Sequence, residues 1–204
     1  MLRLPDRGPL VKRVILASSN VGKLREFRQM LAPLAIELVP QRELGIDDAE
    51  EPYPTFVENA LAKARHAARA GGLPAMADDS GICVPALGGA PGVHSARFAG
   101  EPRSDARNNA RLLEQMAGHS DRRAHYYCVI VLVRSAEDPE PLIADGRWHG
   151  TLAGEARGEG GFGYDPWFFL PEHGCTAAEL SADAKNRISH RALALARLLA
   201  MLKP

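Results

Sequence analysis

The chain has 204 residues, 46% hydrophobic and 25% charged, with 25 Lys and Arg balanced by 25 Asp and Glu. These proportions exclude global disorder and suffice for one domain with a real core, and no apolar run reaches the ~18–20 residues of a membrane span. A neutral balance argues against nucleic acid held by bulk electrostatics. Cys83, Cys128 and Cys175 are too scattered for a disulfide framework or a C-x-x-C zinc site and fit a reducing compartment. Met1 to Arg7 lacks an apolar core of signal-peptide length, so a cytoplasmic location is expected.

Lys12 to Ala17, β-branched and apolar, predicts a first strand, followed by the small polar loop Ser18 to Gly22. Lys23 to Leu31 predicts a helix with Leu24, Phe27, Met30 and Leu31 on one face, stopped before Pro33. Ile36 to Val39 predicts a second strand and Gln41 to Pro54 an acidic loop. Thr55-Phe56-Val57-Glu58 has the form of a capping box and opens a helix through Ala70, ended by Gly71-Gly72. Leu73 to Ala77 predicts a short strand with Asp78-Asp79-Ser80-Gly81 at its end, and Ile82 to Leu87 another, with Pro85 at an edge or bulge. Ser104 caps a helix to Met116, with Gly118 as terminator, and His125 to Val133 is a strong strand. Leu142 to Trp148 and Thr151 to Ala156 suggest a hairpin, Gly158 to Pro166 a glycine-rich loop, Trp167 to Leu170 a short strand and Ser189 to Leu202 a closing amphipathic helix. Strands and helices interleave early and strands cluster late, so the fold class is α/β with a mixed sheet.

The zero net charge hides a segregation. Residues 1–30 carry Arg3, Arg7, Lys12, Arg13, Lys23, Arg25 and Arg28 against Asp6 and Glu26. Residues 37–60 carry Glu37, Glu43, Asp47, Asp48, Glu50, Glu51 and Glu58 against Arg42. Residues 181–204 carry Lys185, Arg187, Arg191, Arg197 and Lys203 against Asp183. Basic ends and an acidic middle suit a small polyanion with a divalent cation, although solvated faces would look similar.

Several familiar motifs fail on inspection. Gly22-Lys23 lies between a strand and a helix, but Ala17 and Leu24 replace the glycine and hydroxyl that a P-loop needs. The junction still offers free amides and a helix dipole to an anion, with Ser18, Ser19, Asn20 and Lys23 adding donors. Gly158 to Gly163 matches G-x-G-x-x-G literally, yet Tyr164-Asp165-Pro166 follows where a dinucleotide fingerprint requires a helix. The histidines show no zinc-hydrolase spacing, and no G-x-S-x-G elbow is present. Any metal is therefore expected on oxygen ligands, as Mg²⁺ or Mn²⁺. Adjacent carboxylates on an extended chain point opposite ways, so one of Asp78 and Asp79 can face a substrate while the other faces the structure. Glu50-Glu51 offers a second carboxylate.

Six segments in order carry a resemblance. They are Ser18-x-Asn20-x-x-Lys23-x-x-Glu26; Thr55-Phe56-x-Glu58-Asn59-Ala60-x-x-Lys63-Ala64; Ala77-Asp78-Asp79-Ser80-Gly81; Leu87-Gly88-Gly89-Ala90-Pro91-Gly92 with Ser95-Ala96-Arg97; Gly160-Gly161-Phe162-Gly163-Tyr164-Asp165-Pro166; and Ser189-His190-Arg191. Together they resemble the inosine triphosphate pyrophosphatase family, whose members hydrolyse deaminated purine nucleoside triphosphates (ITP, dITP, XTP) to monophosphate and pyrophosphate. The resemblance runs from Val14 to about Leu202 and leaves residues 1–11 as an N-terminal extension to a single domain over 12–204. It implies an elongated two-lobed fold around a long mixed sheet with flanking helices, a site between the lobes, Mg²⁺ as cofactor and a homodimer. It also implies roles. Ser18, Ser19, Asn20, Val21, Gly22 and Lys23 match the triphosphate loop. Asp79 matches the proton acceptor and a metal ligand, and Glu50 the second metal ligand, with Glu51 beside it as the alternative. Ser80 matches a substrate contact, and Phe162, Gly163, Tyr164 and Asp165 the segment that positions the base. Lys185, His190 and Arg191 match nucleotide contacts. Ser18-Ser19 stands where many members have Thr-Gly, and it keeps the hydroxyl.

A donor aimed at O6 accepts a 6-oxo purine and refuses adenine, whose 6-amino group would leave that donor unpaired. His190, Arg191 or nearby backbone amides are open for that role. Three competitors stand beside this reading: a related pyrophosphatase for other bases, such as modified pyrimidines, a catalytically idle nucleotide-binding regulator, and a nucleoside triphosphatase releasing orthophosphate.

Overall fold

The computed structural model describes residues 13–32 and 36–202. The expected extension at 1–11, the strand start at Lys12 and the stop at Pro33 lie outside them. The elements in chain order are β1 (Arg13–Leu16), α1 (Val21–Leu31), β2 (Glu37–Pro40), α2 (Phe56–Gly71), β3 (Ala75–Cys83), α3 (Asp105–Gln115), β4 (Arg123–Val133), β5 (Leu142–Leu152), β6 (Phe168–Leu170), β7 (Cys175–Thr176), α4 (Ala182–Ile188) and α5 (His190–Met201). The strands form one seven-stranded sheet in the order β2-β1-β3-β4-β5-β6-β7. Its β1–β2 and β1–β3 pairs are parallel, while β5–β6 and β6–β7 are antiparallel, so the sheet is mixed.

The chain forms two compact units, one from the described residues of Met1–Asp79, Cys128–Gly146 and Arg191–Pro204, the other from Ser80–Tyr127 and Arg147–His190. The boundaries fall inside β3, β4 and β5 and after the first residue of α5.

In the first unit, Val14, Leu16, Met76, Cys128, Ile130 and Leu132 supply the sheet side of a buried cluster, and Phe27, Leu31, Ala194, Leu195, Leu198 and Leu202 supply the helix side. Residues 75–79 and 128–133 are buried without alternation, as strands covered on both faces must be. Asn20 caps α1 by accepting the Lys23 N–H at 3.1 Å. Thr55 caps α2 by accepting the Glu58 N–H at 3.4 Å, and its hydroxyl donates to the Glu58 carboxylate at 2.5 Å. Gly72, at φ 64°, closes α2 by donating its N–H to the Ala68 carbonyl.

In the second unit, Ile82, Val84, Leu112, Met116, Tyr126, Trp148, Leu152, Phe168 and Leu170 form a separate core. Ser104 caps α3 as expected, accepting the Arg107 N–H at 3.3 Å.

Three expectations are corrected. Asp78-Asp79-Ser80-Gly81 lies within β3 rather than at its end, because the strand continues through Cys83. Gly81 makes that possible: a Cβ there would stand 2.3 Å from the Gly92 carbonyl oxygen and from the Ser95 hydroxyl, so the glycine marks a close approach and not a break. The strand expected over Ile82 to Leu87 is accordingly the end of β3 followed by a 3-10 turn at Pro85–Leu87. The hairpin expected between 142–148 and 151–156 is one strand, β5. Gly150, between the two expected strands, leaves room for β6, since a Cβ there would meet the Phe169 carbonyl oxygen at 2.5 Å and the Phe168 ring at 2.7 Å. The closing helix falls where expected, as α5, while α4 and the short β7 are additional elements, and β7 carries no apolar run that would announce it.

Candidate functional site

Two groups of side chains stand out, one in each unit. The first is built on β3. Asp78 has no exposed side-chain surface, and its carboxylate takes the Lys23 ammonium at 2.8 Å and the Arg191 guanidinium at 3.5 Å. Arg191, itself buried, also donates to Glu26 at 2.6 Å. Lys23 and Glu26 lie three residues apart on α1 and so share a face. Burial alone would raise the Asp78 pKa, but Lys23, Arg191 and Lys63 outweigh it and hold the carboxyl well below its ordinary range.

Asp79 turns to a different set of partners, as alternation along a strand requires. Its Oδ1 accepts from Lys63 Nζ at 3.0 Å and its Oδ2 from Asn59 Nδ2 at 3.4 Å. Lys63 Nζ donates also to Glu51 at 2.7 Å. Asn59 fixes the preceding loop, exchanging hydrogen bonds of 3.0 Å with the Tyr53 backbone in both directions. For Asp79 the balance reverses: burial pushes its pKa up by more than Lys63 and Lys23 pull it down. The Lys63 pKa is lowered by burial and raised by Asp79, Glu51 and Asp78, with a net rise. Two adjacent carboxylates thus differ in kind. Asp78 is locked as an anion, whereas Asp79 is brought nearer to the proton affinity a base needs.

The loop before α1 borders this group in sequence. Ser18 Oγ accepts the Asn20 N–H at 3.3 Å, and Val21 is 68% exposed at the start of the helix. Ser19 donates to the Asp48 carboxylate and accepts from Arg42 Nε at 3.0 Å, which ties the loop to the acidic segment.

The second group is built around Asp165. Its Oδ2 takes Lys185 Nζ at 2.7 Å and the Phe162 N–H at 2.8 Å, and its Oδ1 takes the Tyr126 hydroxyl at 3.1 Å. Lys185 Nζ lies 4.8 Å from the centroid of the Phe162 ring, a cation–π arrangement. The glycine run before Phe162 is required locally. Gly161 has φ 71°, and a Cβ there would stand 2.1 Å from the Asp165 carboxylate. The Gly163 N–H donates to Asp105 at 2.7 Å, and its carbonyl accepts from Asn109 at 2.9 Å. The buried Tyr164 donates its hydroxyl to the Ser95 carbonyl at 2.8 Å. His190 is buried and stacked on Tyr126, with centroids 4.6 Å apart and planes at 8°, and Trp148 lies at 6.3 Å.

Of the residues expected from sequence, the structure therefore gathers Lys23, Asp78 and Arg191, places Asp79 beside them on β3, and gathers Phe162, Asp165 and Lys185 separately. Ser80 is half-buried on β3 and Gly22 half-buried at the start of α1. Glu50 is exposed, whereas its neighbour Glu51 shares Lys63 with Asp79. Sequence reasoning passed over Lys63, Asn59 and Glu26 as site residues, and Tyr126 and Trp148 altogether. A signal for the first two existed: Asn59 and Lys63 are four apart on a capped helix and so face the same way. The aromatic pair had none, since it comes from different strands.

Lys23, Glu26, Asn59, Lys63, Asp78, Asp79, Phe162, Asp165 and Arg191 come from the six segments, whereas Glu51, Tyr126 and Lys185 lie outside them. Residues 14–201 match the model of the Ham1 family. The chain is 63% identical over 196 residues to a dITP/XTP pyrophosphatase of Ralstonia nicotianae, covering 95% of this chain and 98% of that one. It is 64% identical over 193 residues to one of Aromatoleum aromaticum, with the same coverages of 95% and 98%. Among solved structures, a HAM1 protein from Coxiella burnetii superposes with TM-score 0.87 at 50% identity over 93% of this chain and 98% of that one. The Staphylococcus aureus Ham1 protein follows at TM-score 0.83 and 41% identity over 94% and 98%. With a family model spanning nearly the whole described chain and relatives above 60% identity along their full length, this chain belongs to the Ham1 family.

Proposed function

We propose that this chain hydrolyses deaminated purine nucleoside triphosphates, dITP, ITP and XTP, to the monophosphate and pyrophosphate. The observation that carries it is the pair of unlike carboxylates on β3. Asp78 is neutralised by Lys23 and Arg191, while Asp79 has a raised pKa beside Lys63. The names of the relatives supply the substrate class.

In this reading a water attacks the α-phosphorus and Asp79 takes its proton, which requires a base whose ionised form is stabilised no further than necessary. Lys23 and the first amides of α1, with Ser18, Ser19, Asn20, Val21 and Gly22 around them, neutralise the phosphate chain. Asp79 and Glu51 are an oxygen donor pair already drawn together by a cation, the Lys63 ammonium, so the residues fit a hard divalent ion such as Mg²⁺ or Mn²⁺. Such an ion, when bound, supplies charge stabilisation for the departing pyrophosphate. Glu51 takes the part first assigned to Glu50, because it is Glu51 that converges with Asp79 on Lys63. Phe162, held by Lys185 and Asp165, offers a ring on which a base stacks; stacking accepts any base, so selectivity rests on a donor matched to O6. Arg191 is spent on Glu26 and Asp78 and serves as support, which leaves His190, Lys185 and backbone amides as the candidates.

The polypeptide is read as a homodimer on the family resemblance, and as cytoplasmic on its three free cysteines, which suit a reducing compartment. No helix among the described residues is long and apolar enough to cross a membrane. Incubation with dITP, XTP, ATP and dUTP plus Mg²⁺, with product identification, tests the function. Pyrophosphate and monophosphate from dITP and XTP, with ATP at least about tenfold slower for one unpaired buried donor, is the expected result. Equal turnover of ATP, or orthophosphate as product, would sink it.

A further inference from the structure

We propose that Lys63 is a place-holding cation for the Glu51–Asp79 pair, and that the divalent ion enters as a complex with the nucleotide rather than binding the protein first. This rests on the pyrophosphatase reading above.

The ammonium stands between the two carboxylates, at 2.7 Å from Glu51 and 3.0 Å from Asp79. The three side chains are 12%, 23% and 8% exposed, so solvent screens their interaction weakly. Among the ion pairs described above, Asp78 and Glu26 face Lys23 and Arg191, and Lys63 faces both Glu51 and Asp79. A bare divalent ion approaching Glu51 and Asp79 meets a positive charge already at the centre of the pair, and like charges at such separations in a part-buried site repel strongly.

A metal–triphosphate complex removes that obstacle. It carries net negative charge, so its phosphate oxygens can accept the Lys63 ammonium as the carboxylates turn to the metal. The swap leaves each charged group with a partner. The side chain needs only a small swing, because lysine carries a compact ammonium on a flexible stem. Binding order then follows from electrostatics: the nucleotide recruits its own metal, and without nucleotide the carboxylates stay closed on lysine.

Titration of the full chain with Mn²⁺ alone, followed by electron paramagnetic resonance of the free ion, tests this. It is run with and without a deoxyinosine triphosphate whose α,β-bridging oxygen is a methylene group, and the Mn²⁺ held by that analogue in protein-free solution is subtracted. In the parent, Mn²⁺ alone should bind weakly and the analogue should tighten it. In Lys63→Gln, Mn²⁺ alone should bind about tenfold more tightly or better, the order expected when a like charge about 4 Å away is removed. Lys63→Arg, which keeps the charge, should resemble the parent. A Lys63→Gln protein that folds by circular dichroism yet binds Mn²⁺ no more tightly than the parent overturns the proposal. Should that variant not fold, the parent alone decides: equal Mn²⁺ affinity with and without the analogue overturns it, and tightening by the analogue supports it. None of these readouts requires turnover, so failure to hydrolyse dITP would count against the function and leave the lysine assignment standing.

Discussion

Strand β4 shows two ways of building a functional surface. From Arg123 to Tyr127 it alternates between covered and open positions, and from Cys128 to Val133 every residue is buried. The open half belongs to the unit whose candidate site rests on rings and one lysine–carboxylate pair, with Tyr126 stacked on His190 and bonded to Asp165. The buried half belongs to the unit whose site is a cluster of charges around β3. The difference teaches what each surface is suited for. Fixed charges inside a covered sheet tune proton affinity, since burial and partners act at full strength there. Rings at a half-open sheet offer flat contact with little commitment to one base.

The sharpest way to break the comparison is at the charged site. Asp79→Asn removes the carboxylate whose burial is only partly compensated. Hydrolysis of dITP should fall by about two to four decades, the usual worth of a general base, and thermal stability should stay at or above that of the parent. Steady-state kinetics with a melting curve checks both; activity within about threefold of the parent would remove Asp79 from the chemistry.

Asp78→Asn should do the opposite, costing about 3–5 kcal/mol of stability because Lys23 and Arg191 lose a buried partner. Its pH dependence has a definite sign. The folded-state pKa is depressed, so the contribution is fully present above the unfolded value of about 4 and is lost as pH falls toward the folded value. Denaturant melts of parent and variant should therefore differ most near neutrality and converge in acid. A difference that is constant with pH would separate the loss from ionisation.

The aromatic site is broken more gently. Gly161→Ala puts a methyl group against the Asp165 carboxylate and a side chain at φ 71°, at about 1–3 kcal/mol. Weakened affinity for the nucleotide analogue with turnover of bound substrate nearly preserved is the expected pattern, read from the KM-against-kcat split. An unchanged KM would detach the Phe162 segment from substrate binding.

Much of this was legible in the chain itself. The caps at Thr55 and Ser104 follow from residue type, because a short polar side chain before an amphipathic run has one obvious use. The paired aspartates announced the site, since apolar flanks leave two carboxylates few ways to be satisfied. What stayed hidden was set by distant packing. Gly81 and Gly150 stand between expected strands, yet both lie inside strands where another chain segment comes close. Glu50 and Glu51 could not be told apart, because their difference lies in which one meets Lys63 on α2.

The mid-strand position of Asp78 and Asp79 makes the site intolerant of changes in chain length. A loop can absorb one inserted or deleted residue, but a strand held in a sheet cannot without turning its side chains over. A single-residue deletion just before Asp78 in β3 would set Asp79 in the locked position and Ser80 in the reactive one, leaving the reactive position without a carboxylate. Variation in this protein should accordingly enter by substitution within β3 and by length change only beyond it, in the turns after Cys83 and in the acidic segment before α2.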